Sequence, residues 1–192
     1  MRKTLPLFLA ALFVLLPGVA KAQVQIFGGY SYVRPTVNVQ TTVPCPGPTC
    51  PVTTTSTHFN LNGWEAAGSF NPIPVFGFTA DFAGNYGTVQ GSTLHMQTYL
   101  FGPQVHLPGS VSPFVHALGG IAHDTIAGSS TSVPVVLPYS ANSFAAAVGG
   151  GIDIKVVPFV SLRVIQIDDV ITRFGSATQH QPRASAGIVI HF

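Results

Sequence analysis

Six charged residues are the first candidates for chemistry in this chain, because they are predicted to share the polar face of alternating segments. Successive side chains of a β-strand point to opposite faces, so one face of each segment can be enclosed. Enclosed charges must be paired and hydrogen-bonded. We therefore predict an interior ion-pair network, with Glu65 and Arg163 as one pair, and a gated proton or ion path as the alternative to a purely structural core. The predicted members are Glu65, Asp81, Asp153, Lys155, Arg163 and Arg183.

The histidines do not indicate a catalytic or metal site. None of the seven has the local spacing of metal ligands; they are His58, His95, His106, His116, His123, His180 and His191. Ser185 and His191 share a face, but six positions of a strand separate them by about 20 Å, which is too far for a nucleophile and its base. We expect no enzymatic activity, no metal and no cofactor.

Cys45 and Cys50 are the only cysteines, and they lie in a short segment rich in proline and glycine. Two close cysteines in an exported protein form a disulfide in most cases, because the compartments outside the cytoplasm are oxidising. A metal-binding pair is the alternative, but the nearest histidine, His58, is eight residues further on. We predict a Cys45–Cys50 disulfide.

The N-terminus has the features of a secretory signal peptide. A basic start, Met1-Arg2-Lys3, precedes an apolar run and the small-residue motif Ala20-Lys21-Ala22. This predicts a signal peptide over residues 1–22 with cleavage before Gln23, whereas a retained anchor is the alternative. Five basic and six acidic residues follow residue 22, so the remaining chain is near neutral and nucleic-acid binding is not expected.

Charge is unusually scarce in this sequence. Charged residues are 7 % of the chain, against about 25 % in ordinary soluble domains. A soluble domain covers its surface with charge, whereas a surface in contact with lipid needs little. Since no apolar run after residue 22 is long enough for a membrane helix, a membrane β-barrel is the favoured interpretation.

From residue 23 onward the chain divides into short segments with a period of two, which is the pattern of β-strands. We predict eight strands: Val24 to Val33, Phe59 to Phe70, Phe76 to Tyr86, Leu94 to Leu107, Pro113 to Asp124, Phe144 to Val156, Phe159 to Arg173 and Arg183 to Phe192. In the seventh, Gln166 and Asp168 fall on the wrong face, and a β-bulge near Ile165 would return them to the interior.

The connections between these segments alternate in length. Tight turns follow the second, fourth and sixth segments, and longer loops follow the others, the longest being the polar stretch from Arg34 to Thr57. An eight-stranded antiparallel up-and-down transmembrane β-barrel has this asymmetry, with an interior small enough to be filled by side chains. The long stretch is predicted to be either an adhesive or a protective loop.

The chain resembles the small eight-stranded outer-membrane β-barrel family, which is related to outer-membrane protein A and its porin-like relatives. The residues that carry this resemblance are Phe27-Gly28-Gly29-Tyr30-Ser31-Tyr32, Phe78-Thr79-Ala80-Asp81-Phe82, Leu100-Phe101-Gly102-Pro103, Ala147-Val148-Gly149-Gly150-Gly151-Ile152-Asp153 and the terminal Phe192. The resemblance implies the bacterial outer membrane, contact with its lipid, and recognition of Phe192 by the barrel-assembly machinery. It implies no defined activity.

These observations predict one barrel domain over residues 23–192 with a polar packed lumen. The expected role is structural or is a surface interaction with an unspecified ligand. A narrow pore for small solutes or ions is the first alternative, and a secreted soluble β-sandwich that binds a ligand is the second.

Overall fold

The computed structural model describes residues 23–42, 52–58, 60–89, 92–127, 139–174 and 177–192. The proposed signal peptide and the two cysteines, Cys45 and Cys50, lie outside the described residues, so the cleavage site and the disulfide stay predictions. No helix in the described ranges is long and apolar enough to cross a membrane.

The described residues form ten antiparallel strands. Their bounds are β1 Gln23–Val33, β2 Thr36–Thr42, β3 Val52–His58, β4 Leu61–Ile73, β5 Phe76–Val89, β6 Ser92–His106, β7 Val111–Ala127, β8 Tyr139–Val157, β9 Val160–Phe174 and β10 Ala177–His191. Eight of them close into a barrel in the order β1-β10-β9-β8-β7-β6-β5-β4. The predicted eight-stranded antiparallel barrel is therefore confirmed.

The barrel closes where its first and last strands meet. β1 pairs with β10 from Gln25↔His191 to Val33↔Arg183, and its other edge pairs with β4. The last residue extends this seam, because the Phe192 amide donates to the Val24 carbonyl at 2.9 Å. A single closed sheet excludes the two-sheet sandwich that was the second alternative.

The long polar stretch after β1 is more ordered than the sequence analysis predicted. β2 and β3 pair antiparallel from Thr36↔His58 to Thr42↔Val52 and form a separate two-stranded sheet. Threonine and valine have branched Cβ atoms that favour extended backbone, which explains strands in a segment whose polarity indicated only a loop.

The two ends of the barrel differ, and we name them by their contents. The termini end carries Gln23, Phe192 and the connections 74–75, 107–110 and 158–159. The loop end carries the β2–β3 hairpin and the connections 90–91, 128–138 and 175–176. The last connection is shorter than the predicted loop, because β10 begins at Ala177.

The outer surface of the barrel is apolar, as membrane barrels require. Alternate residues of every barrel strand expose large hydrophobic side chains. An aromatic belt lies toward the loop end, formed by Tyr30, Trp64, Tyr86 and Tyr99. The Tyr30 and Tyr99 hydroxyls donate to Asn62 and Gln97, so these rings join an apolar body to a polar tip, as residues at a membrane interface do.

A β-bulge in β9 decides which of its side chains enter the lumen. Ile152 of β8 pairs with Ile165 and the next residue, Asp153, pairs with Arg163, so β9 contains one extra residue at this point. Val164 and Ile165 are consequently both exposed, at 47 % and 44 %. The predicted bulge is confirmed, and it allows Arg163 and Gln166 to enter the same lumen.

Candidate functional site

Arg183, in the middle of β10, is the centre of the lumen. Its guanidinium donates to Asp168 through Nε at 3.0 Å and Nη2 at 2.7 Å, and to Asp81 through Nη1 at 2.9 Å and Nη2 at 3.3 Å. Glu65 is the third acid, with Oε2 3.5 Å from Nε. All four side chains are almost completely buried. One arginine therefore faces three carboxyl groups.

Asp168 is the most fully hydrogen-bonded of these acids. Besides the two bonds from Arg183, its Oδ2 accepts from Gln166 Nε2 at 2.7 Å. Its Oδ1 lies 2.8 Å from His116 Nε2, which is also buried. An ionised carboxylate can accept several hydrogen bonds at once, and donors around it favour its charged form. The surroundings of Asp168 therefore favour the carboxylate.

Gln166 joins the Arg183 cluster to a second ion pair nearer the termini end. Its Nε2 donates to Glu65 Oε1 at 2.8 Å, and its Oε1 accepts from Arg163 Nη1 at 2.6 Å. Arg163 pairs with Asp153 through two bonds, Nε–Oδ1 at 2.8 Å and Nη2–Oδ2 at 3.0 Å. The expected Glu65–Arg163 pair is wrong, since Gln166 stands between them and each has another partner.

Two aromatic rings hold the Arg163 guanidinium between them. Its central carbon lies 4.4 Å from the Phe27 ring centroid and 4.1 Å from that of Phe114. A cation over the face of a ring is attracted to the negative charge of the π-system, and the attraction strengthens when water is excluded. Arg163 is thus fixed by two rings and one carboxylate.

Lys155 does not belong to the network, contrary to the prediction. Its side chain is exposed, and it lies beside the β8–β9 turn at the termini end. The register between β8 and β9 shifts between Lys155 and Val157, where the strands leave the barrel. The Lys155 side chain lines the cavity at this end of the barrel and reaches water there, away from the buried charges. The other five predicted residues are all buried in the lumen.

The loop-end half of the lumen contains a large apolar cluster, with buried polar side chains such as Asn85, Thr172 and Gln181 beside it. A contiguous cluster seals the interior above the charges, and it consists of Val33, Leu61, Met96, Leu100, Leu118, Ala122, Ala145, Ala147 and Val170. We call this cluster the apolar plug. Its members come from β1 and β4 and from β6 to β9, so it crosses the whole section of the barrel. Close-packed apolar groups of this kind leave little room for water or ions.

The termini end contains a cavity of about 350 Å³. Gln25, Gln104 and His106 line it from the barrel wall, and Phe159 and Phe192 lie at its rim. We call it the termini-end vestibule. Its inner end is reached by Phe114 and Asp153, which belong to the Arg163 site.

Ser161 and His191 meet in this vestibule, with Oγ 2.7 Å from Nε2. A serine and a histidine at this distance are the first two members of a hydrolytic triad, whose third member is a carboxylate that orients the histidine. The hydrogen bonds of the described residues give His191 no such carboxylate. Ser185, the serine considered from the sequence, is bonded to Glu65 instead.

The predicted network did not include Asp168 and Gln166, although the expected bulge placed both in the interior. It also lacked two further polar members. The first is His116, which lies on the same face of β7 as the buried Phe114 and Leu118, so alternation indicated its direction. The second is Ser185, which is buried and donates to Glu65. Among the described residues, no three His, Cys, Asp or Glu side chains are arranged to hold a metal ion.

Solved structures with a similar fold were found by comparison, although no protein-family model and no curated protein matches this chain. Ail, the attachment invasion locus protein of Yersinia pestis, has a TM-score of 0.58 at 14 % identity, covering 89 % of this chain and 99 % of Ail. Neisserial surface protein A has a TM-score of 0.58 at 11 % identity, covering 91 % and 99 %. The outer membrane protein OprG from Pseudomonas aeruginosa has 0.57 at 11 %, covering 89 % and 96 %.

The chain has the fold of the small eight-stranded outer-membrane β-barrels. The match covers nearly the full length of each neighbouring barrel, so the likeness is to whole proteins. Identities of 11–14 % establish the fold and carry no assignment of activity. Arguments about the role of this protein therefore depend on the residues of its own lumen and loop end.

Proposed function

We propose that this protein is an integral protein of the bacterial outer membrane with a closed lumen, and that its role is structural or is performed by its loop end. It has no enzymatic activity in this proposal. The observation that supports it most directly is the apolar plug, which packs between the charged cluster and the loop end together with buried polar side chains such as Asn85 and Gln181.

The outer surface supports the membrane location. Exposed Leu, Ile, Val and Phe side chains surround the barrel, while the polar residues are inside. Exposing this surface to water is unfavourable by about 25 cal/mol per Å² of apolar area, so lipid or detergent must cover it. In the proposed orientation the termini end faces the periplasm, and Phe192 is available to the barrel-assembly machinery during insertion.

A closed lumen separates this proposal from the alternative of a narrow channel. Ions crossing the barrel would have to displace packed side chains such as Leu100 and Leu118, which are 2 % and 4 % exposed. They would also have to pass Arg183, whose hydrogen bonds to Asp81 and Asp168 span the lumen. Opening that path requires breaking buried ion pairs, which costs several kcal/mol.

The loop end is the part of the molecule available to partners outside the cell. The β2–β3 hairpin is a two-stranded sheet separate from the barrel. One neighbouring structure is a complex of Ail with the heparin analogue sucrose octasulfate. A sulfated ligand needs clustered basic groups, but Arg34 and Arg173 are the only arginines or lysines among the described residues at this end. We therefore do not propose a sulfated polysaccharide as the ligand.

Single-channel recording in planar bilayers tests the closed lumen. The full protein, refolded and inserted at the same protein-to-lipid ratio as a porin of known conductance, is expected to give no discrete current steps. Regular steps from the wild-type protein would overturn the proposal and favour the narrow channel. Membrane location is tested separately: recovery in the soluble periplasm without detergent would contradict it, whereas heat-modifiable migration on gels is expected.

A further inference from the structure

The acids and bases enclosed with Arg183 do not balance. Three carboxyl groups, on Glu65, Asp81 and Asp168, surround the one guanidinium. If all are ionised the group has a net charge of −2. The nearby Arg163–Asp153 pair is neutral by itself and supplies no compensation. An uncompensated charge away from water is costly, and such a group takes up a proton instead.

Hydrogen bonding indicates which acid carries the proton. Asp168 accepts from Arg183, Gln166 and His116, and Asp81 accepts two bonds from Arg183. Both are thus supplied with donors on both oxygens. Glu65 also has a donor at each oxygen, but these donors are the neutral groups of Gln166 and Ser185. Its contact with the charged Arg183 guanidinium is longer, at 3.5 Å.

Glu65 and Asp81 also lie next to each other. Glu65 pairs with Ala83 and Ala67 pairs with Asp81 in the β4–β5 ladder, so the two acids are diagonal neighbours on the inner face. Their carboxyl groups both face the guanidinium of Arg183, at 3.5 Å from Glu65 and 2.9 Å from Asp81. Two adjacent carboxylates cannot both be ionised at low cost, and sharing one proton turns the repulsion into a hydrogen bond.

We infer that the lumen contains a proton-binding site, in which Glu65 holds a proton and shares it with Asp81. Every charged group that faces the site takes part in its balance: Asp81 from β5, Asp168 from β9 and Arg183 from β10, with His116 from β7 through Asp168. With one shared proton the net charge of the three carboxyl groups and Arg183 falls from −2 to −1.

The site is connected to one end of the barrel. A chain of hydrogen bonds runs from Glu65 through Gln166 and Arg163 to Asp153, which lines the termini-end vestibule. The apolar plug closes the other direction. Gln166 and Arg163 position Glu65 and do not themselves carry protons. Because the apolar plug closes the loop-end direction, water that exchanges the proton comes from the termini-end vestibule.

Infrared spectroscopy of the full protein, refolded in detergent micelles at neutral pH, tests the site. A protonated carboxyl group has a C=O stretching band well separated from carboxylate bands, and the band shifts in D₂O. We expect wild type to show such a band, Glu65→Gln to lose it, and Asp169→Asn to retain it. Asp169 is a suitable control because it is a half-exposed acid paired with His180 at the barrel surface.

Asp81→Asn provides the second variant. Without the Asp81 charge, Glu65 no longer competes for Arg183, so it ionises and the band disappears. Absence of the band from wild type overturns the inference even if neither variant folds. A band that survives in Glu65→Gln also overturns it, and a band that survives in Asp81→Asn overturns the sharing. Channel activity would contradict the closed lumen but would leave these spectra unchanged, so the two proposals fail separately.

Discussion

Replacing Arg183 with methionine should strongly destabilise the barrel. The guanidinium makes four hydrogen bonds to Asp81 and Asp168 and is the nearest positive charge to Glu65. Methionine keeps most of the aliphatic stem, so packing is largely preserved and the change isolates the charge. The variant leaves three buried carboxyl groups without their common partner.

The size of the effect follows from the burial of all partners. Removing one member of a buried ion pair costs about 3–5 kcal/mol, because the other member stays buried and uncompensated. Proton uptake by the carboxyl groups would limit the loss, so the lower value, about 3 kcal/mol, is expected at neutral pH. With a urea dependence of about 1–3 kcal/mol per M, the unfolding midpoint should fall by about 1–3 M.

The assay is urea unfolding of refolded protein in detergent micelles, followed by the fluorescence of Trp64, the only tryptophan of the chain. Trp64 lies on the outer surface, so its emission reports loss of contact with detergent. Arg173→Met is the matched control, because Arg173 is exposed, and its effect should stay within about 0.5 kcal/mol. Equal midpoints for the two variants would refute the assignment of Arg183 as the centre of the lumen.

One further substitution and one deletion test other parts of the barrel. Gly149→Ala should destabilise it by about 1–3 kcal/mol in the same urea assay, because a Cβ there would lie 2.1 Å from Asp168 Oδ1, whereas Gly28→Ala, with nothing within 4 Å, should be neutral. If the two alanine variants unfold alike, the packing of Asp168 on β8 is wrong. Deletion of Phe192 should lower the heat-modifiable fraction recovered from outer membranes, whereas Phe159→Ala, equally exposed at the same end, should not. Normal recovery of the truncated protein would contradict an assembly role for Phe192.

The faces of the strands and the barrel itself were predictable from the sequence. Alternation along β5 placed Phe78 and Phe82 outside and Asp81 inside, as the structure has them. The same reasoning located the bulge near Ile165, because Gln166 would otherwise have faced lipid. These features depend only on neighbouring residues, because successive side chains of a strand point alternately to the buried and the exposed face.

Two other features could not be predicted from the local sequence pattern. The β2–β3 hairpin was not predicted, because its threonine-rich segments are polar on both faces. These two strands pair with each other and are not strands of the barrel sheet. Lys155 is on the same face of β8 as Asp153, but it is two residues closer to the β8–β9 turn. At that position its side chain is exposed at the termini end of the barrel, whereas Asp153 is buried.

The partners inside the lumen were decided by the tertiary structure alone. Period-two alternation gives the face of a residue, but its depth along the barrel axis depends on the tilt and stagger of strands that closure imposes. Glu65 and Arg183 are 118 positions apart. The register through β1 places Glu65 level with Gly187, four residues from Arg183, so strand tilt and the long arginine side chain bring the two groups together. The sequence therefore determined most of the enclosed charges, with Lys155 as the exception, whereas closure of the barrel determined that three acids share one arginine.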